Sequence, residues 1–286
     1  MRMAACVLLL ACLAAAPSSA RACGAKSSCA VADGEYFARP PPGWDGRTPL
    51  PVILFFHGYS GSAEDVMADD AMSRAASDVG ALLVAPEGRA ETGAARSWSF
   101  PSKAFAGRDD IVFIGHVLDD VERRWPVDRS RILASGFSVG GSMAWYLACL
   151  APQRFAAFAP VAGAFWAPEP ETCPGGPVSL RHVHGTADRT VPMAGRALRR
   201  GALRQGDVLH GLATWRRIDG CRTEPDQETT QGRLACRTWS SNHCASGREL
   251  TLCLHSGEHE IEADWIVDAF HWMEGLPARG KGAEAH

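Results

Sequence analysis

A chain of 286 residues, 46% of them hydrophobic, is long enough to bury a full core, and a single large α/β domain can run to this length. With 29 basic against 32 acidic residues the formal net charge is −3, and no segment reads as a run of basic residues. That balance excludes a nucleic-acid or anionic-membrane surface as the default reading.

The chain opens on MRMAACVLLLACLAAAPSSA, in which Arg2 is the only charge, an apolar stretch follows and small residues close the segment. This is the pattern of a secretory signal peptide. Ala20-Arg21-Ala22 matches A-x-A, so cleavage is expected after Ala20 or Ala22, and residues 1–22 are assigned to the leader. A lipoprotein reading through Leu9-Leu10-Ala11-Cys12 is disfavoured, because the apolar core before Cys12 is very short. No second stretch is long and apolar enough to cross a membrane. The expected location is therefore secreted or periplasmic.

Ten cysteines are present, and eight follow the leader: Cys23, Cys29, Cys149, Cys173, Cys221, Cys236, Cys244 and Cys253. An even number behind an export signal points to disulfides, although composition does not select the pairing. Residues 234–240 and 248–254 read as two strands of a hairpin with SNHCASG as its turn. That places Cys236 opposite Cys253 and leaves Cys244 at the tip for Cys221, with Cys23–Cys29 and Cys149–Cys173 completing the set. The alternative for Cys149, on an apolar helix, is a buried thiol.

In chain order, Arg39-Pro-Pro-Pro-Gly43 is a stiff, turn-rich connection. Pro51–Phe56 is a continuous apolar run, as expected of a strand buried on both faces. Residues 63–79 are helical in pattern, with Val66, Met67 and Met72 as core candidates. Ala81–Ala85 is a second buried strand, ended by Pro86. Asp109 and Asp110 start an amphipathic helix that runs to about Trp125, with acids in its first turn and Asp110 read as its cap. Arg131–Ala134 is a strand, 139–150 a helix, and Phe155–Val161 and Val178–His184 further strands. Residues 207–219 and 262–274 are the last helices, and the tail from 276 is expected to be disordered. No repeat or composition shift divides residues 23–275, which are assigned to one catalytic domain. Strands alternating with helices predict an α/β fold with a mostly parallel central sheet covered by helices on both faces. Function in such sheets collects beyond the carboxyl ends of the strands, where the breaks at His57, Ser138 and His184 lie.

The most informative stretch is Ser135-Gly-Phe-Ser-Val-Gly-Gly141, which contains G-x-S-x-G between a strand and a helix. Gly136 and Gly140 let strand and helix approach closely around a strained turn, and Ser138 is lifted into the open at a helix N-terminus. An ordinary glycine-rich turn is the competing reading. An ester-cleaving serine needs donors for its oxyanion. One is expected from the backbone N–H of Val139. The other is expected from the FFHGYSGS loop, through the N–H of Tyr59 or of Gly58. His57 is read as structural, tying that loop by hydrogen bonds.

The serine also needs a base and an orienting acid, in the chain order Ser, Asp or Glu, His. Asp188 sits just past the Val178–His184 strand, in GTADRTVP, with turn capping as its alternative role. The rival carboxylates Asp207 and Asp219 lie in or beside helix and are read as surface. For the base, His259 lies in the HSGEHEI loop before the last helix, whereas His255 at the strand end is read as packing or capping. HSGEH also matches the zinc signature H-x-x-E-H, but Gly257 and the preceding strand prevent the single helical face that motif requires, so no metal is assigned. Trp98 and Trp166 are candidates for lining an acyl or aromatic pocket, core or rim packing being the commoner role.

Taken together, HGYSGS, DDIVFI, GFSVGGSMAWYLACLAPQRFAAFAPVAG, VHGTADRTVP and HSGEH resemble the secreted polyhydroxybutyrate depolymerase and feruloyl esterase group of α/β-hydrolases, over about residues 35 to 275. The resemblance implies the α/β-hydrolase fold, with Ser138 as nucleophile, Asp188 as acid and His259 as base. It also implies hydrolysis through an acyl-enzyme without a cofactor. The substrate class is an ester: a polyester oligomer, a feruloyl or acetyl polysaccharide ester, or a small ester. The family's GGGH-W-P stretch is SGEHEI here, a departure that falls on the pocket rim. A serine peptidase on the same scaffold and a non-catalytic binding module are the competing functions.

Overall fold

The computed structural model of the protein describes residues 23–90, 95–99 and 107–277. The expected signal peptide and residues 278–286 of the expected tail lie outside the described residues. In chain order the elements are β1 (Cys29–Val31), β2 (Gly34–Arg39), β3 (Leu50–Phe56), α1 (Ala63–Ala68), α2 (Asp70–Asp78), β4 (Leu82–Pro86), the short strands β5 (Arg89–Ala90) and β6 (Arg96–Ser97), and α3 (Asp110–Arg124). The long β7 (Val127–Phe137), α4 (Val139–Leu150), β8 (Ala157–Val161) and β9 (Leu180–Gly185) follow. Two short strands, β10 (Ala197–Leu198) and β11 (Leu203–Arg204), pair antiparallel before α5 (Val208–Ile218). β12 (Gln227–Gln231), β13 (Leu234–Trp239), β14 (Leu250–His255) and α6 (Ala263–Glu274) complete the chain.

Ten strands form one sheet in the order β1-β2-β4-β3-β7-β8-β9-β14-β13-β12. The six from β4 to β14 are parallel to their neighbours, and the outer pairs are antiparallel. The central strands are apolar throughout because both faces are covered. Alternate residues point to opposite layers. Val52, Leu54 and Phe56 of β3 pack with residues of α3, α4 and α5, while Ile53 and Phe55 pack with α1, α2 and α6. The register also aligns the strand ends: Phe56 pairs with Gly136, Phe137 with Val161, Val161 with Val183, and Gly185 with His255. The loops after β3, β7, β9 and β14 therefore emerge side by side on one edge.

Several local expectations are corrected. The helix expected over 63–79 is broken at Asp69, which sits in extended geometry and caps α2 by accepting from the N–H groups of Ala71 and Met72. The cap of α3 is Asp109, not Asp110. Asp109 accepts from Ile111 and Val112 N–H, while Asp110 is buried, bonded to Arg108 Nε at 2.6 Å and to Ser99 N–H. The strand expected at Arg131–Ala134 extends over Val127–Phe137. The edge strands β1, β2 and β12 carry no apolar run that would announce them. β12, QETTQ, is exposed at every position and is held by its ladder to β13.

All four expected disulfides form: Cys23–Cys29, Cys149–Cys173, Cys221–Cys244 and Cys236–Cys253. Cys236 and Cys253 are cross-strand partners in the β13–β14 ladder, as the hairpin reading requires.

Asp219 is not at the surface. It is fully buried at the end of α5, where Oδ1 accepts from Val178 N–H at 3.0 Å and Oδ2 has no hydrogen-bond partner among the described residues. Burial pushes its carboxyl up to about 7, against the pull of the Val178 bond and the Arg248 charge. Below about pH 4 the group is protonated whether the chain is folded or not. Between there and 7 the native state holds the extra proton, so stability falls as pH rises through this window. At about 1.4 kcal/mol per pH unit the loss by pH 8 is roughly 4 kcal/mol. Asp219→Asn keeps the acceptor and removes the charge. Thermal unfolding should find the variant more stable than the wild type at pH 8, with the gap narrower by roughly 3 kcal/mol at pH 5. An equal difference at both pH values would show that ionisation of Asp219 is irrelevant.

Candidate active site

Ser138 occupies the single residue between β7 and α4, with φ 59° and ψ −121°. This left-handed geometry costs a non-glycine residue about 1–3 kcal/mol and persists only where neighbours enforce it. Ser138 N–H donates to Val161 O at 3.0 Å, and its carbonyl accepts from Ser142 N–H. Both flanking glycines are required by space. A Cβ on Gly136 would lie 2.5 Å from Gly140 O, and one on Gly140 would lie 2.1 Å from Phe56 O. The turn is thus clamped between helix, neighbouring strand and the end of β3, and it presents Ser138 on a cavity wall.

Asp188 lies three residues past the end of β9 and is 5% exposed. Its Oδ1 accepts from Thr190 and Val191 N–H, both at 2.8 Å, and its Oδ2 lies 2.7 Å from His259 Nδ1. Burial raises the Asp188 carboxyl, but the hydrogen bonds from His259 and Val191 outweigh it and hold the group below its ordinary range. An ionised Asp188 fixes the His259 proton on Nδ1 and leaves Nε2 as an acceptor. The His259 ring packs on Phe137, the residue before Ser138, with centroids 4.6 Å apart. No hydrogen bond joins Ser138 Oγ to His259 among the described residues. Such contacts are often long before substrate binds.

Behind Asp188 runs a buried chain that the sequence did not announce. Trp145 Nε1–H donates to His182 Nδ1 at 3.3 Å, His182 Nε2 meets His184 Nδ1 at 2.9 Å, and His184 Nε2 meets Val191 O at 2.7 Å. One direction satisfies all three: each imidazole accepts at Nδ1 and donates from Nε2, which makes both neutral. Burial lowers the basicity of both rings, consistent with that state. The chain ties helix α4 to the loop that carries Asp188.

The loop after β3 is braced by His57, as expected. His57 Nδ1 lies 2.8 Å from Gly58 O, and Nε2 accepts from Gly88 N–H at 3.0 Å. A Cβ on Gly58 would lie 3.6 Å from Ser138 Cβ, so this loop runs against the serine. Tyr59 is 59% exposed and lines the cavity, and Val139 N–H belongs to the first turn of α4, which has no intrahelical acceptor. Neither N–H donates to an acceptor among the described residues. His255 packs, also as expected. It is 2% exposed, accepts from Gly257 N–H and faces Trp265. The two histidines of HSGEH thus turn to different partners.

Trp98 lies off the cavity wall. It is 1% exposed, donates from Nε1 to His57 O and packs edge-on against Phe56, so it supports the loop from behind. Trp166 does line the cavity and donates from Nε1 to Ser142 Oγ at 3.2 Å. The cavity has a volume of about 330 Å³. Part of its wall comes from Thr190, Val191, Arg196, Leu198, Leu203 and Gln205. These belong to the Asp188 loop and the β10–β11 ribbon, whose two-residue strands are too short to show a period.

Comparisons with known proteins bear on the family and the fold. The Esterase family, described as "Putative esterase", matches residues 35–274. Feruloyl esterase B of Piromyces equi is 26% identical over 233 residues, covering 78% of this chain and 42% of that protein. Feruloyl esterase C of Emericella nidulans is 29% identical over 168 residues, covering 56% of this chain and 57% of that protein. The chain spans about half the length of the curated relatives it matches. Among solved structures, an acetyl xylan esterase from Aspergillus awamori superposes with a TM-score of 0.61 at 13% identity, covering 83% of this chain and 94% of that one. A Bacillus cereus carboxylesterase gives a TM-score of 0.57, also at 13% identity, over 86% and 96% of the two chains. The protein has the α/β-hydrolase fold, and the chain belongs to the Esterase family.

Proposed function

We propose that the protein is a serine carboxylesterase in which Ser138 is the nucleophile, His259 the general base and Asp188 the orienting acid. The observation that carries this reading is the 2.7 Å Asp188–His259 bond beside a strained serine on a cavity wall. Ser138 Oγ attacks the ester carbonyl while its proton passes to His259 Nε2. The carbonyl oxygen becomes an anion that the N–H groups of Tyr59 and Val139 receive. Collapse of the intermediate expels the alcohol, which takes the proton from His259, and the acyl group stays on Ser138. Water then attacks the acyl-enzyme by the same route and frees the acid. Asp188 keeps the imidazole in the required tautomer and stabilises the imidazolium. No step calls for a metal or cofactor.

Ester rather than amide cleavage is supported by the family and by relatives named as feruloyl and acetyl xylan esterases. The four disulfides support a secreted or periplasmic protein. The test is labelling with a fluorophosphonate, followed by assay on para-nitrophenyl butyrate, methyl ferulate, acetylated xylan and a peptide anilide. Labelling of Ser138 and turnover of esters without the anilide are expected. An unlabelled, inactive wild type would remove the catalytic reading, and anilide turnover comparable to that of esters would make it a peptidase.

A further inference from the structure

The segment between Asp188 and α5 has an unusual charge. Residues 189–206 contain five arginines, Arg189, Arg196, Arg199, Arg200 and Arg204, and no acid, in a chain whose formal net charge is −3. Spaced apart, they make no basic run in the sequence. The fold places four of them on or beside the β10–β11 ribbon, where Arg196 and Arg199 line the Ser138 cavity. Leu198 and Leu203 are cross-strand partners and both line the cavity, so Ala197 and Arg204, the other pair, occupy the opposite face of the ribbon. The carboxylates flanking the ribbon are engaged elsewhere. Asp207 accepts from His210 N–H at the start of α5, and Glu169 accepts from Asp207 N–H and pairs with His210.

Arg196 is the arginine best placed to meet a substrate. It lines the same cavity as Ser138, and its Nε donates to Oε1 of Gln205 at 3.2 Å. Gln205 is itself buried, at 6% exposure, and paired through its backbone to Arg196 and to Trp166. The guanidinium is therefore held by its Nε side. Neither Nη has a partner among the described residues, and no carboxylate lines the cavity among them. Two parallel N–H donors on a fixed fork are the arrangement that receives a carboxylate in bidentate fashion. The wall of the same cavity also includes Val139, Trp166, Val191 and Leu198, which suit an apolar spacer.

Resting on the serine-esterase reading, we propose that the preferred substrate is an ester that carries a carboxylate, with the ester carbonyl at Ser138, an apolar portion along the cavity and the carboxylate on Arg196. The carboxylate has two chemical sources: the far end of a dicarboxylic acyl group, or a uronic acid of an acylated polysaccharide. The arginines outside the cavity add an attractive field for either.

Two matched pairs test this. In the acyl arm, kcat/KM for mono-para-nitrophenyl adipate is compared with that for para-nitrophenyl hexanoate, which has a methyl group in place of the carboxylate. In the polysaccharide arm, acetate release from acetylated polygalacturonate is compared with release from acetylated xylan. The charged member should be favoured in one arm, by about ten- to a hundredfold, as expected of a charge-assisted hydrogen bond. The arm that responds identifies the source. Arg196→Gln should cut that preference at least about tenfold, with fluorophosphonate labelling showing that the variant site is folded. Raising NaCl to about 0.5 M should also compress it. Preference for the neutral member in both arms overturns the proposal while leaving the esterase reading standing. So does a preference that survives Arg196→Gln unchanged. Turnover of no ester at all, with no labelling, overturns both.

Discussion

Ser138→Ala is expected to lower kcat/KM on para-nitrophenyl butyrate by about 10⁴–10⁶-fold, to the level that donors and binding alone sustain. The group removed is a single oxygen on the cavity wall, and it makes no hydrogen bond among the described residues. The backbone bonds that hold the turn, Ser138 N–H to Val161 O and Ser142 N–H to Ser138 O, are untouched. Alanine meets the same left-handed penalty as serine, so the unfolding midpoint should move by only a degree or two. Activity and stability are thus predicted to separate cleanly. The measurement is steady-state hydrolysis alongside thermal unfolding and intact-mass detection of the fluorophosphonate adduct. A variant within about tenfold of wild-type kcat/KM would assign the nucleophile elsewhere.

Gly140→Ala is expected to do the reverse, acting first on the fold. The added methyl would lie 2.1 Å from Phe56 O, 2.5 Å from His57 O and 2.6 Å from Phe56 C, all backbone atoms. No side chain can rotate out of the way. Either α4 withdraws from the sheet or the end of β3 moves, and the loop of His57, Gly58 and Tyr59 begins there. Overpacking against rigid backbone should destabilise by about 3 kcal/mol, which for a chain of this size lowers Tm by roughly 6–12 °C. The same displacement shifts the proposed Tyr59 donor relative to Ser138, so the labelling rate should fall even at temperatures where the variant is folded. Circular dichroism and labelling kinetics measured on one preparation check both parts. A variant with wild-type Tm would mean that strand and helix at the elbow leave room for the added methyl.

Much of the architecture was readable where the cause is local. β3 and β4 are unbroken apolar runs because both of their faces are covered, and that pattern survives in the text. The β13–β14 hairpin announced the Cys236–Cys253 pairing through its register. The elbow was legible because a sharp strand-to-helix turn needs glycines at 136 and 140 whatever surrounds it. Asp188 and His259 were readable as residues just past strand ends, but a loop position does not state which way a side chain faces. Other features had no local signal. Asp69 breaks a helix whose residues suit one continuous helix, because its side chain satisfies two orphan N–H groups. Asp219 sits beside a helix where it reads as surface, yet it is buried, with Oδ1 accepting from Val178 N–H, 41 residues away in the chain.

What the sequence by itself determined, then, is the α/β class, the Cys236–Cys253 pairing and the serine turn, since each depends on residue type and short-range spacing. Tertiary structure alone decided that four strand ends align on one edge, which sets the Asp188 carboxylate against the His259 ring and packs that ring on Phe137. It also decided that Arg196 and Arg199 come to line the cavity that holds Ser138. The physical reason is that periodicity and turn chemistry act over a few residues, whereas which side chains meet is set by strand order and register, and these bring together Asp188 and His259 across 71 residues of chain.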